Sequence, residues 1–248
     1  IENRRSLAER AVLAQHNALN EIAQAVGMKK PISRIESYDI SNIAGTDNVG
    51  AMVVFTNGKK EPENYRRFRI KYVSGQDDYA SMSEVVFRRL QHAYTEMQGN
   101  TPNPKFLPLP ELILADGGLT HVNAVRSIIK DFGFDIAVAG LVKDSKHKLR
   151  GLMLEDGTEI KQSNFKYAKK LLNDISEEVH RFAIEYHRAS RSKSMLKCEL
   201  EDIPGIGPKR VAALMNSLET IDKIKTASVE ELASADGMNL KAAEAVYE

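Results

Sequence analysis

Residues Glu111–Ala115 (ELILA) form a short apolar run that passes without a break into Asp116-Gly117-Gly118. A strand with no polar alternation is buried on both faces, and such burial needs helices above and below a sheet. Ile136–Val142 (IAVAGLV) repeats the pattern, and helix-forming text from about Leu119 to Phe132 separates the two. Ahead of them lie three strand-like stretches. Arg34–Ser41 alternates, with Ile35, Ser37 and Asp39 on one face; Val49–Phe55 is compact and β-branched, with the hairpin signal Asn57-Gly58 behind it; Tyr65–Val73 alternates again. These read as an antiparallel meander. Helices are expected over about Ser6–Val26, Asp77–Gln98 and Ser163–Ser190, and a hairpin around Asp156–Gly157. Three meander strands, a βαβ unit and a long helix define a mixed α/β layer fold.

Charge divides the chain. From Cys198 to Glu248 there are five Lys/Arg and ten Asp/Glu, a net of −5, which leaves 30 basic and 24 acidic residues, a net of +6, in the first 197. Two parts of opposite sign suggest two domains. We read 1–30 as a lead-in helix, 31–190 as the α/β domain, 191–197 as a linker and 198–248 as a small helical domain. Cys198 is the single cysteine, so an internal disulfide and a Cys-based zinc site are excluded, and a reducing, cytoplasmic compartment is expected. The apolar runs are too short to span a bilayer and no secretory signal opens the chain, so no membrane partner is expected. The chain begins at Ile1, and a longer protein extending upstream is expected.

Three residues stand out for chemistry. Asp39 is an acid within a strand; Asp116 ends a buried strand, where ligands of open α/β sheets collect; His180 lies on the long helix, with Arg181 and Arg188 beside it and His187 as a competitor. Each has a bland reading: an ion pair, a helix cap, a solvated imidazole. Together, two carboxylates and an imidazole can hold Mg²⁺ or Mn²⁺, the hard ions that activate water against a phosphodiester. Lys143, where the second apolar strand ends, sits on the same sheet edge as Asp116. Arg66 and Arg67, between Tyr65 and Phe68, interleave charge with aromatic rings and are candidates for phosphate and base contacts.

In the last fifty residues, Ile203-Pro204-Gly205-Ile206-Gly207-Pro208-Lys209-Arg210 opens an apolar helix. Two glycines around an apolar residue permit a tight hairpin whose backbone N–H groups bind phosphate, with Lys209 and Arg210 adding charge. A second copy, Gly237-Met238-Asn239-Leu240-Lys241, carries Asn239 for the second glycine, a residue that tolerates left-handed backbone. Gly205, Ile206, Gly207, Lys209, Arg210, Gly237, Asn239, Lys241, Arg66, Arg67 and Arg188 make up the expected DNA-binding set. A helical protein-interaction domain is the alternative for this segment.

Taken in order, RIESYDIS, YRRFRI, LILADGG, GLVKD, HRFAIEYHR and IPGIGPKR resemble the C-terminal half of the bacterial excinuclease subunit family UvrC. The resemblance covers residues 30–248. It implies an RNase H-like mixed sheet with flanking helices, followed by a small all-α tandem helix-hairpin-helix domain. It further implies a catalytic set on Asp39, Asp116 and His180, the 5′ incision of nucleotide excision repair, and damaged double-stranded DNA loaded with UvrB as partner. Asn42 and His121 depart from the family's usual residues. A catalytically silent DNA-binding or scaffolding chain, and a junction or RNA–DNA hybrid nuclease on the same fold, remain as alternatives.

Overall fold

The computed structural model describes residues 2–41, 48–73, 75, 77–99, 104–201, 203, 205–218 and 221–247; their side chains are described except for 2–8, 186–199, 201, 221 and 222. Asn42 and Pro204 lie outside the described residues, as do the side chains of His187 and Arg188. The chain divides into two compact units, Ile1–Ile184 and Glu185–Glu248.

The first unit follows the order α1 (Glu2–Ala25), β1 (Arg34–Ser41), β2 (Val49–Thr56), β3 (Lys59–Lys60), β4 (Arg66–Arg69), α2 (Asp78–Gln98), β5 (Leu112–Asp116), α3 (Leu119–Phe132), β6 (Ala137–Lys143), β7 (Leu149–Met153), β8 (Glu159–Lys161) and α4 (Ala168–Glu201), the last of which continues past Ile184. The strands form one sheet in the order β3-β2-β1-β5-β6-β7-β8, with β4 also on β2. β1, β5 and β6 run parallel at its centre, while β2, β7 and β8 are antiparallel to their inner neighbours. Leu112–Ala115 have no solvent exposure, as the uninterrupted apolar run requires.

Strand parity assigns the helices to faces. Glu36, Tyr38 and Ile40 point to the face of α2: the Arg89 guanidinium donates to Glu36 at 2.7 Å, and a Cβ on Gly50, paired with Ile40, would lie 2.4 Å from Val85 Cγ2. Gly140 belongs to the same transverse row as Tyr38 and Ala115 and meets Val122 of α3, so α2 and α3 share that face. The opposite parity carries Ser37 and Asp39 toward α4. Glu36 and Arg89 are both fully buried, and Tyr38 donates to Glu36 at 2.7 Å. Removing one member of such a pair typically costs about 3–5 kcal/mol, because it strands the other charge.

Two elements differ in their bounds from the sequence reading. The strand expected over Tyr65–Val73 is only Arg66–Arg69, because the N–H groups of Lys71 and Tyr72 turn away to the Glu84 carboxylate. The helix expected to end near Ser190 runs to Glu201, through the stretch read as a linker: no Gly or Pro interrupts 168–201. That helix also starts later than Ser163. Residues Gln162–Asn164 form a 3₁₀ turn, and Glu21 of α1 accepts the N–H groups of Lys166, Tyr167 and Ala168.

The second unit holds α5 (Pro208–Leu218), α6 (Ile221–Thr226), α7 (Val229–Ala233) and α8 (Leu240–Tyr247). Its core is built from Leu200, Ile206, Val211, Leu214, Ile224, Leu232 and Ala243. α7 opens with a reciprocal Ser228–Glu231 cap.

Candidate active site

β1 and β5 pair in parallel with Tyr38 opposite Ala115, so one step further Asp39 and Asp116 stand side by side at the carboxyl ends of the two central strands. The chain leaves β1 toward one edge of the sheet and β5 toward the other, which makes this the switch point where open α/β sheets collect ligands. α4 covers the cluster from above. His180 Nδ1 lies 3.2 Å from Asp39 Oδ2, and one ligand atom from each of Asp39, Asp116 and His180 falls within 4.8 Å of the others. Lys143, two residues past the β6 partner of Asp116, puts its ammonium on the Asp116 carboxylate.

The electrostatics follow from burial. Desolvation, then the neighbouring Asp39 charge, push the Asp116 carboxyl up, and Lys143 draws it back. The hydrogen bond to Asp39 raises the His180 imidazole against its own desolvation. Two adjacent carboxylates with little solvent need a cation. Lys143 supplies one, and the donor set, two carboxylates and an imidazole, is one that could hold a divalent metal ion.

The Asp-Gly-Gly turn is set by close approach. Gly117 takes φ 148°, and a Cβ there would lie 2.4 Å from the His121 imidazole. Gly140 faces the same turn, its own Cβ position 2.4 Å from the Gly117 carbonyl oxygen. Gly117 is therefore covered by His121, and Gly118 is the open one, with nothing near its Cβ position.

Arg67 lies in the same transverse row as Asp39, two strands away through Ala51. Its guanidinium stacks 3.8 Å from the Phe182 ring of α4 and donates to the Phe182 carbonyl at 3.2 Å. Arg66 donates to the carbonyls of Glu63, Tyr65 and Lys105. Both arginines brace the sheet edge as well as bearing charge. Sequence reading passed over Asn173 and Ser176, although they precede His180 by seven and four residues and so occupy its side of the helix.

In the second unit the two hairpins superpose in their bonding. Ile206 N–H donates to the Ile203 carbonyl and Met238 N–H to that of Ala235, while Val211 and Ala243 donate to the carbonyls of Gly207 and Asn239. Gly205 and Gly237 carry the positive φ angles, 89° and 73°. Asn239 is not left-handed, contrary to expectation; its side chain instead caps α8, accepting the Ala242 N–H at 2.9 Å. Ile206 is a core residue, leaving only its backbone for a ligand, whereas Lys209 and Lys241 are exposed. Arg210 bridges the copies, donating to the carbonyls of Gly205 at 2.6 Å and Gly237 at 2.9 Å.

Carboxylates at the ends of adjacent parallel strands, on a sheet with an antiparallel meander, define an RNase H-like endonuclease domain, here followed by a tandem helix-hairpin-helix unit. The UvrC RNAse H endonuclease domain matches residues 23–184, and the SAM-like Helix-hairpin-helix tandem matches residues 199–248. The chain belongs to the UvrC family. It is 47% identical over 245 residues to the UvrABC system protein C of Thermoanaerobacter sp. (strain X514), covering 96% of this chain and 39% of that one. With the protein of the same name from Finegoldia magna, identity is 46% over 93% of this chain and 37% of that one. The chain thus spans under half the length of these relatives. Among solved structures, human ENDOV aligns at 11% identity over 64% of this chain and 86% of that one, with a TM-score of 0.35. No described helix is long and apolar enough to cross a membrane.

Proposed function

We propose that this chain is the divalent-metal-dependent endodeoxyribonuclease portion of a bacterial excinuclease, making the 5′ incision beside a lesion in damaged double-stranded DNA presented with UvrB in the cytoplasm. The observation that carries this reading is the convergence of Asp39, Asp116 and His180 within 4.8 Å at the switch point of the sheet. Asp39, Asp116 and His180 would hold Mg²⁺ or Mn²⁺. When bound, such an ion supplies Lewis acidity and lowers the pKa of the attacking water. The two carboxylates hold it against the sheet, and the Asp39–His180 contact fixes the imidazole on α4. Lys143 is placed to release Asp116 and meet a phosphate oxygen. Gly205–Gly207 with Lys209, and Gly237–Asn239 with Lys241, would grip the duplex backbone through amides and ammonium groups, without reading sequence. The nuclease part corresponds to residues 31–190 and the DNA-binding part to 198–248.

The test is strand cleavage of a duplex with a bulky lesion and a pre-existing 3′ nick, loaded with UvrB, in Mg²⁺ or Mn²⁺. One cut on the 5′ side of the lesion, lost in Asp39→Ala and Asp116→Ala, is expected. Absence of a cut from a complex whose assembly is confirmed would leave DNA binding alone.

A further inference from the structure

Beside the carboxylate cluster, and sharing Lys143 and His180 with it, a cleft of about 330 Å³ opens between the β6–β7 hairpin and α4. That is the lower end of the range of small-ligand pockets, about 300–1,000 Å³. Its two walls differ in chemistry. The hairpin wall carries Lys143, His147 and Lys148. It is preformed: the Asp144 carboxylate accepts the N–H groups of Lys146 at 2.8 Å and Lys148 at 3.0 Å, and His147 takes the left-handed φ of 59° that the turn requires. Asn and Asp side chains that accept such bonds stiffen a turn.

The α4 wall is polar at its base. Asn173, Ser176 and His180 form one stripe at helical spacing, with Glu177 on the exposed rim. Gln162 donates through Nε2 to Asn173 Oδ1 at 2.7 Å. That bond leaves an N–H₂ donor on Asn173 and a carbonyl acceptor on Gln162, both residues lining the cleft. A paired donor and acceptor is the pattern by which side-chain amides meet the edge of a base. Cations on one wall and an amide pair on the other match a molecule with an anionic end and a flat hydrogen-bonding end.

We propose that this cleft is a nucleotide subsite, which holds the nucleotide flanking the scissile phosphate: its phosphate lies against Lys148 and His147 and its base against Asn173 and Gln162. The assignment rests on the reading of Asp39, Asp116 and His180 as a phosphodiester-cleaving centre, because Lys143 and His180 belong to both. It adds a strand-positioning function to residues outside that centre.

Thymidine 3′,5′-bisphosphate, added to the whole chain in EDTA, tests the cleft without metal or cleavage. The readout is the imidazole NMR signal of His147. A saturable shift is expected. It should be weakened about tenfold or more by Lys148→Glu, which reverses a charge at the site, and about threefold to tenfold by Asn173→Ala, which removes one hydrogen bond. No saturable shift, or one indifferent to Lys148→Glu, would overturn the proposal; equal affinity for inorganic phosphate would overturn the nucleotide part of it. Binding that persists in a chain unable to cut DNA in Mn²⁺ would support the subsite and remove the nuclease reading, while cutting without binding would do the reverse.

Discussion

Lys143 sets its ammonium on the Asp116 carboxylate from the end of the neighbouring strand, so a side-chain cation already sits among the carboxylates that a metal ion would occupy. Both side chains are largely buried, with 18% and 12% of their surfaces exposed, which keeps the interaction from being screened away. On the proposed function, Lys143 would compete with a metal for Asp116 before substrate arrives and would be freed for a phosphate afterwards.

Lys143→Met separates these two roles. Mn²⁺ binding by calorimetry is expected to tighten severalfold, because the competing charge is gone, while cleavage falls about tenfold to a hundredfold for want of a phosphate partner. Weaker Mn²⁺ binding in the variant would show that the lysine helps hold the site together.

A methyl group on Gly140 would press on the Gly117 carbonyl rather than on a movable side chain. Gly140→Ala is expected to cost about 1–3 kcal/mol in urea denaturation and to shift Asp116, lowering metal affinity as well as stability. Unchanged metal affinity would mean the Asp-Gly-Gly turn adjusts independently of β6.

Glu178 of α4 is held at about 2, below its ordinary 4.5, chiefly by hydrogen bonds from Arg181 and also by Lys60. A depressed carboxylate contributes stability that is present above pH 4.5 and lost as pH falls toward 2. Wild type should exceed Glu178→Gln by on the order of 2 kcal/mol at neutral pH, a figure discounted because both cations are half exposed. Thermal midpoints taken down the acid range should converge; a gap that stays constant would assign the loss to packing.

Lys209 and Arg210 are neighbours with different expected effects. Lys209→Gln should lower the slope of log affinity against log salt by about one phosphate contact. Arg210→Gln should weaken DNA binding with little change in slope, because its guanidinium is spent on the Gly205 and Gly237 carbonyls. A slope change of about one for Arg210 would make it a phosphate ligand after all.

Much of this architecture is legible in the sequence because the relevant signals are local. The alternation of Arg34–Ser41 and the apolar runs of β5 and β6 mark the central strands, and α3 occupies the expected Leu119–Phe132. What escaped was set by carboxylates reaching from distant segments. Glu84 ends β4 by taking two N–H groups, and Glu21 fixes the start of α4 from an element more than a hundred residues earlier. No periodicity records either contact. For the site, Asp39 and Asp116 announced themselves as acids in apolar strands, and His180 was one of two histidines on one helix; its Nδ1 lies 3.2 Å from Asp39, while the His187 side chain lies outside the described residues. The self-engagement of Arg67 with Phe182 was hidden for the same reason: the partner is 115 residues away.

The Asp39–His180 contact joins positions 141 residues apart, and Asp116 comes from a third segment between them. No short stretch of this chain can assemble the three residues, so an ion held by them would bind only the native state and would stabilise it by mass action, by about 2.7 kcal/mol at a hundredfold excess over its dissociation constant. A chain not yet complete through α4, or unfolded across these segments, would lack the cluster altogether. On the proposed function, the means of breaking a genome would be withheld until these three segments have folded together, and the ion that arms the nuclease would also report that they have.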